Sequence, residues 1–135
     1  MKINAYACSW PNGPCPDHET IINSISRGAA KTVFWRSVRE AYQDVPFTAL
    51  RVRKVGDPVT TEGFLRNARY RGIPDARCGD RVKAEGWWGR IVGHNDSANL
   101  DILFEEGPCA GQVLNVHPAG VEGWHDRVAA AMGEN

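Results

Sequence analysis

Hydrophobic and polar positions in the first part of the chain follow two periods. Residues 2–8 and 50–55 alternate between apolar and polar side chains, as half-buried β-strands do, and residues 19–25 are rich in Ile and Thr. Between these strands, apolar residues recur at spacings of three and four from about 27 to 43, which predicts a helix with one buried side. Ser26 is a candidate N-cap for that helix. We therefore expect a small sheet covered on one face by a helix.

A second helix and then a run of short strands follow. Thr60 or Thr61 can cap a helix that continues to about Tyr70, where Gly72 provides a stop. From residue 74 onward, Val, Ile and Leu occupy alternate positions of short stretches separated by glycine turns, which is typical of a small barrel or curled sheet. These strands are predicted at 80–86, 89–95, 99–106 and 111–117, with a short helix from about 123 to 132.

These elements indicate an α+β protein of two modules, an α/β module at 1–73 and a β module at 74–135. Formal charge divides the same way. Eleven basic and six acidic residues lie before residue 74, and five basic and ten acidic residues lie after it. The first module is therefore formally +5 and the second −5. The two sets of charges either lie on solvated faces or direct the modules to different partners or to each other.

The composition as a whole narrows the class of protein. Sixteen basic and sixteen acidic residues make the chain formally neutral, which argues against a protein that coats nucleic acid by bulk charge and against an acidic mimic of DNA. No apolar run approaches the length of a membrane span. The first ten residues lack the segments of a signal peptide, so we expect a cytoplasmic protein that does not act at a membrane.

The cysteines predict neither disulfides nor a metal centre. Cys8, Cys15, Cys78 and Cys109 are expected to be free thiols in an intracellular protein. Cys8, Cys15 and His18 could supply three zinc ligands, but the stretch offers no fourth ligand and no C-x-x-C pair. We expect no bound metal and no other cofactor.

No motif for catalysis is present, so we expect a protein without enzymatic activity. Walker, dinucleotide-binding, zinc-protease and nucleophile-elbow patterns are all missing from the sequence. His94 beside Asn95 fits a histidine that organises a turn by side-chain hydrogen bonds. A hydrolase or transferase that uses His94 and a cysteine is the third alternative, after the two binding functions given below.

Trp87 and Trp88 are the main candidates for a contact surface. They lie between Gly86 and Gly89, which predicts that the pair occupies the turn between two strands. Exposed adjacent indoles indicate a binding surface, whereas an indole folded back over the barrel would close its core. We expect one buried and one exposed ring. The predicted partner-binding residues are Trp87, Trp88, His94 and Asn95.

A basic patch is the second candidate surface. Clustered cations are what phosphate contacts require, although a solvated charged face is the simpler interpretation. The predicted patch comprises Arg51, Arg53, Lys54, Arg66, Arg69 and Arg71.

Two segments carry a resemblance to known families. Residues 79–118, GDRVKAEGWWGRIVGHNDSANLDILFEEGPCAGQVLNVHP, resemble SH3-like barrel modules, including those of the KOW type. The same segment, with Gly93-His94-Asn95 and Asn99-Leu100-Asp101, is similar to segments of small phage and prophage accessory proteins. Residues 24–56, in which a Ser-Arg-Gly turn opens a helix, are similar to another segment of such proteins.

The resemblance implies an SH3-like barrel at 74–135 and a phage-type context in the host cytoplasm. Some proteins of this kind block host defences. The function expected from it is that of a non-enzymatic interaction protein, an anti-CRISPR-like inhibitor that binds a host protein or ribonucleoprotein complex. The alternative is a nucleic-acid-binding accessory protein that uses the basic patch together with a KOW-like barrel.

Overall fold

The structure, a computed structural model, describes residues 2–133. The chain divides into two compact units, Met1–Val59 and Thr60–Asn135. Within the described residues there are three α-helices, one antiparallel sheet of three strands and one antiparallel sheet of four. The prediction of an α+β protein is therefore confirmed.

The first unit is a three-stranded sheet covered by one helix. Helix α1 contacts all three strands, and its buried Ala30 and Phe34 face Tyr6 and Cys8 of the central strand. The strand order is β2-β1-β3, so the charged strand β3 forms one edge of the sheet. The elements are β1 Asn4–Ser9, β2 Thr20–Ser24, α1 Arg27–Arg39, a 3₁₀ turn Phe47–Ala49 and β3 Arg51–Gly56.

Helix α1 begins where the sequence predicts and ends earlier. The Ser26 hydroxyl accepts a hydrogen bond from the Ala29 N–H at 3.1 Å, as expected of an N-cap. The helix ends at Arg39 because the chain after it folds back in turns. The Trp35 indole N–H donates to the Val45 carbonyl at 3.0 Å and so holds this returning segment against the last part of the helix.

A side-chain amide fastens the end of the first unit. Asn23 of β2 donates from Nδ2 to the Val59 carbonyl and accepts the Val59 N–H at Oδ1, both at 2.9 Å. Buried Asn23 thus pairs with a backbone group as another strand would, and it holds the end of the unit in place.

The second unit packs two helices against a four-stranded meander with strand order β4-β5-β6-β7. Phe64 of the first helix and Val128 of the second lie in one core with Ile91 and Ile102 of the central strands. The elements are α2 Glu62–Tyr70, β4 Arg81–Ala84, β5 Trp87–His94, β6 Leu100–Phe104, β7 Val113–Val116, a 3₁₀ turn Pro118–Gly120 and α3 His125–Ala131.

Two expectations about the modules are modified by the structure. The boundary falls at Val59/Thr60, before α2, whereas the sequence placed it after residue 73, because Phe64 and Ala68 belong to the core of the second unit. The four-stranded sheet is not closed into a barrel in the described residues, so the SH3-like barrel is not confirmed. Beyond the meander, β4 makes an isolated antiparallel bridge from Ala84 to Val121.

No helix within residues 2–133 is both long enough and apolar enough to cross a lipid bilayer.

Candidate functional site

The tight turn between β4 and β5 is formed by Glu85 and Gly86. Both residues have positive φ, 53° and 85°, and Ala84 pairs with Trp87 across the turn. The prediction that Trp87 and Trp88 occupy the turn is therefore wrong. A two-residue turn with positive φ at both positions matches the twist of the flanking strands. Glu85 and Gly86, directly before the tryptophans, have that backbone conformation.

Trp88 lies in β5 beneath two cations of β4. The guanidinium carbon of Arg81 is 4.3 Å from the ring centroid, and Nζ of Lys83 is 6.0 Å from it. Lys83 is the cross-strand partner of Trp88, so their side chains project from the same face. Glu105 helps to hold Arg81 over the ring, because its carboxylate lies 3.6 Å from Arg81 Nε. The same carboxylate lies 2.8 Å from Arg90 Nε.

A groove of about 620 Å³ opens beside this half-buried indole. One side is the end of β4 and the other is the segment after the 3₁₀ turn. The groove combines two aromatic rings with charges of both signs, so it offers apolar area and polar anchors together. Its lining includes Trp88, Trp124, Arg81, Lys83, Asp80 and Glu122, and we call it the Trp88 groove.

Trp87 lies outside the lining of this groove. The residue is 43% exposed, and its ring covers Gly107, where an added Cβ would lie 2.5 Å from Cδ2 of the indole. Successive residues of a strand point to opposite faces, and this separates the two tryptophans. Neither ring is fully buried, although the sequence predicted one buried and one exposed.

His94 and Asn95 organise the turn between β5 and β6. Asn67 Nδ2 lies 2.8 Å from His94 Nδ1, and the imidazole packs edge-on against Phe64. The Asn95 carboxamide oxygen accepts the N–H groups of Ser97 and Asn99, each at 3.0 Å. Both predicted partner-binding residues thus hold a loop and lie outside the lining of the Trp88 groove. The imidazole contacts an amide and a phenyl ring.

The six residues of the predicted basic patch belong to different units. Arg51, Arg53 and Lys54 lie on β3 of the first unit, and the other three lie in or next to α2 of the second.

Two of these six residues, both arginines, are engaged in bonds within their own unit. Arg53 donates twice to Glu19, at 2.9 and 3.2 Å, and this hydrogen bonding raises the pKa of the guanidinium further. Arg71 donates to the Ser97 carbonyl at 2.8 Å and to Asn99 Oδ1 at 3.2 Å, so it anchors the β5–β6 turn. The side chains of Arg51, Lys54, Arg66 and Arg69 are exposed.

A surface that the sequence analysis did not single out lies along α1. Nζ of Lys31 is 4.5 Å from the centroid of the Phe47 ring, and the guanidinium carbon of Arg39 is 4.6 Å from that of Trp35. The two rings meet edge-to-face at 5.7 Å. We call this arrangement the α1 ladder. Its sequence signal is the spacing of four between Lys31, Trp35 and Arg39, which places them on one side of a helix.

The three candidate zinc ligands do not form a site. Cys8 is buried in the core of the first unit, where desolvation raises the pKa of its thiol to about 11, with a smaller contribution from the charge of Glu19. Cys15 and His18 are exposed in the loop after β1. Among residues 2–133, no group of three or more His, Cys, Asp and Glu side chains is placed to hold a metal ion. All four cysteines are free thiols.

The difference in formal charge between the two units is smaller than the difference between residues 1–73 and 74–135. The first unit has eight basic and five acidic residues, a formal +3, and the second has eight and eleven, a formal −3. Four of the eight cations of the first unit lie on α1.

Comparison with protein-family models, curated proteins and solved structures gives no significant match to this chain.

Proposed function

We propose that the protein is a non-enzymatic binding protein whose second unit receives a segment of a partner protein in the Trp88 groove. The observation that carries the proposal is an indole at the wall of an open groove, held in place by Arg81 at 4.3 Å. Tryptophan and arginine are the residue types that most often dominate binding energy at protein interfaces. A preordered indole also loses little conformational entropy when a partner covers it.

The edge of β4 gives the groove a direction. The Glu122 N–H donates to the Lys83 carbonyl at 2.8 Å, and the Asp80 carbonyl accepts from Ile91 of β5. The backbone N–H and C=O groups of successive residues in an antiparallel strand point to opposite sides of the strand. Arg81 lies two residues from Lys83, so its N–H and C=O point to the same side as the Lys83 carbonyl that accepts from Glu122. The chain turns away at Gly123, which has a φ of 86°. An extended peptide can continue the pairing along this edge, as in strand addition.

The lining defines the chemistry of the segment. Trp88 and Trp124 suit an aliphatic side chain or a proline ring, which bury apolar area against indoles. The lining also holds two cations, Arg81 and Lys83, and two carboxylates, Asp80 and Glu122. A complementary segment therefore carries an apolar residue flanked by charges of both signs. A uniformly acidic or basic segment would meet one like-charged pair.

The biological context that we propose rests on the resemblance of residues 24–56 and 79–118 to small phage accessory proteins. We propose an inhibitor that occupies a site on a host defence complex in the host cytoplasm. An SH3-like arrangement of the second unit is part of this proposal. It is supported by the meander β4–β7, the 3₁₀ turn after β7 and the return bridge from Val121 to Ala84.

A displayed library of random twelve-residue peptides tests the proposal. The immobilised full chain should select peptides with an apolar or proline residue between charged ones. Those peptides should lose at least about thirtyfold in affinity for Trp88→Ala. Trp87→Ala is the matched control, because the neighbouring indole lies outside the groove, and it should bind within about threefold of the original chain.

The same pair of variants is then used for capture from host lysate. A partner retained by the original chain and by Trp87→Ala, but not by Trp88→Ala, supports the assignment. Selected peptides that bind Trp88→Ala unchanged, or a library that yields no binder, contradict it.

A further inference from the structure

Helix α1 carries four cations and no carboxylate. Its basic residues are Arg27, Lys31, Arg36 and Arg39, and its first turn holds no acidic residue. Cations in the last turn favour the helix dipole, but Arg27 and Lys31 lie toward the N-terminal end, where positive charge is unfavourable. The helix dipole therefore accounts for Arg36 and Arg39 and leaves Arg27 and Lys31 unexplained.

These cations form no ion pair with any of residues 2–133. Among residues 2–133, no carboxylate oxygen lies within 4.0 Å of a charged nitrogen of α1, whereas Arg53 of the same unit is paired with Glu19. Lys31 and Arg39 lie instead over the faces of Phe47 and Trp35. The stacking orders both cations without neutralising them.

The α1 ladder combines the two features of a surface that binds single strands. Proteins that bind single-stranded nucleic acid without sequence preference present cations for the phosphates and aromatic rings for the bases. The helical rise places Lys31, Trp35 and Arg39 at successive steps of about 6 Å along one side of α1. Phe47 is 38% exposed, and Arg36 adds a further exposed cation on the helix.

We infer that the α1 ladder binds the phosphodiester backbone of single-stranded nucleic acid. In each stacked pair the cation can turn to a phosphate while a base takes its place on the ring. An acidic protein surface would satisfy the cations, but a nucleic-acid strand supplies a stackable base beside every phosphate, which matches the alternation of cations and rings. This surface belongs to the first unit, so the inference does not depend on the partner proposed for the Trp88 groove of the second.

Fluorescence anisotropy with a labelled twenty-nucleotide single strand tests the inference on the full chain. At about 50 mM salt the original chain should bind, and Arg36→Glu with Arg39→Glu should weaken binding at least about tenfold. Since each lost phosphate contact removes about 0.7 from the slope of log affinity against log salt, the double variant should also show a slope smaller by about 1.4. Arg66→Glu with Arg69→Glu makes the same charge change on exposed positions of α2 and should have a smaller effect.

Several results would overturn the inference. These are the absence of binding by the original chain, equal binding by the α1 variant, a larger effect from the α2 variant, tighter binding of a duplex of the same length, and displacement by polyglutamate as readily as by an unlabelled strand. If Arg36→Glu with Arg39→Glu fails to fold, Lys31→Gln with Arg36→Gln is measured instead, with the same expectations in direction. Trp88→Ala should leave oligonucleotide affinity unchanged, which separates this test from that of the peptide groove.

Discussion

The guanidinium of Arg81 lies over the Trp88 ring, 4.3 Å from its centroid, and also reaches Glu105 at 3.6 Å. An exposed indole would be free to change rotamer, but this one is held between a cation and its own strand. The carboxylate of Glu105 is only slightly exposed, which makes it a firmer anchor than a solvated ion pair. The wall of the groove is thus ordered before a partner arrives.

Replacement of Trp88 should separate binding from stability. Trp88→Ala removes a half-buried ring and its cation–π contact, so we expect a loss of stability of about 1–2 kcal/mol together with a loss of at least about 2 kcal/mol in binding of a selected peptide. Trp87→Ala should change peptide binding by less than about 0.5 kcal/mol. Calorimetric titration and thermal melts of both variants measure the two effects. Equal losses of binding in both would contradict the assignment of the groove.

Arg71 should behave as a structural residue and Arg69 as a surface one. Arg71→Gln removes the bonds to the 97–99 segment, and we expect a loss of about 1–2 kcal/mol in the free energy of unfolding. Arg69→Gln is the matched control, because its side chain is exposed, and it should stay within about 0.5 kcal/mol of the original chain. Urea unfolding of the two variants gives both values, and a stable Arg71→Gln chain would show that the turn does not need its anchor.

Gly89 is required by the close approach of β6. A Cβ at this position would lie 2.6 Å from Ile102 Cγ2 and 2.9 Å from the Leu103 carbonyl oxygen. Gly89→Ala should therefore destabilise the second unit by about 1–3 kcal/mol. In Gly63→Ala the new methyl group would lie 3.5 Å from His94 Nε2, an ordinary contact, and alanine favours the helix by up to about 1 kcal/mol. Thermal melts should move in opposite directions, and a drop of similar size in both would argue against the predicted clash.

The thiols should differ sharply in reactivity. Burial raises the pKa of Cys8 from 9.0 to about 11, so its neutral form is the one that stabilises the fold. The contribution of Cys8 to the free energy of unfolding is fully present below about pH 9, where the thiol is protonated in both the folded and the unfolded chain. It is lost as the pH rises toward 11, because the unfolded chain then releases the proton first.

At pH 8, Ellman's reagent should label exposed Cys15 rapidly and Cys8 only on unfolding. Cys15→Ser should remove the fast phase and leave the rate of the slowest one unchanged. Fast labelling of Cys8 in the folded chain would contradict its burial.

Local signals in the sequence specify most of the secondary structure. The sequence predicts Ser26 as one N-cap and either Thr60 or Thr61 as the other. The hydroxyls of Ser26 and Thr61 each accept the N–H three residues later, from Ala29 and Phe64. Gly72 was identified as the stop after α2 and has a φ of 78°. These features depend on neighbouring residues alone, which is why a single sequence reveals them.

The candidate site depends on contacts that no local pattern encodes. Flanking glycines favour a turn at Trp87-Trp88, but the turn forms at Glu85-Gly86, where the non-glycine residue Glu85 has a positive φ that no local pattern predicts. Trp124 reaches the groove from a segment distant in sequence. Glu19, which binds Arg53, lies 34 residues from it, and Ser97 and Asn99 lie 26 and 28 residues from Arg71, so the charge pattern does not reveal these bonds.

The most direct test of the Trp88 groove uses the indole N–H signals of the five tryptophans in a proton–nitrogen correlation spectrum. Single replacements by phenylalanine assign the signals, and a peptide selected on the original chain is then titrated in. We expect the signals of Trp88 and Trp124 to move with the same saturation curve while those of Trp10, Trp35 and Trp87 stay in place. A shift of Trp87 with Trp88 and Trp124 unmoved would contradict it.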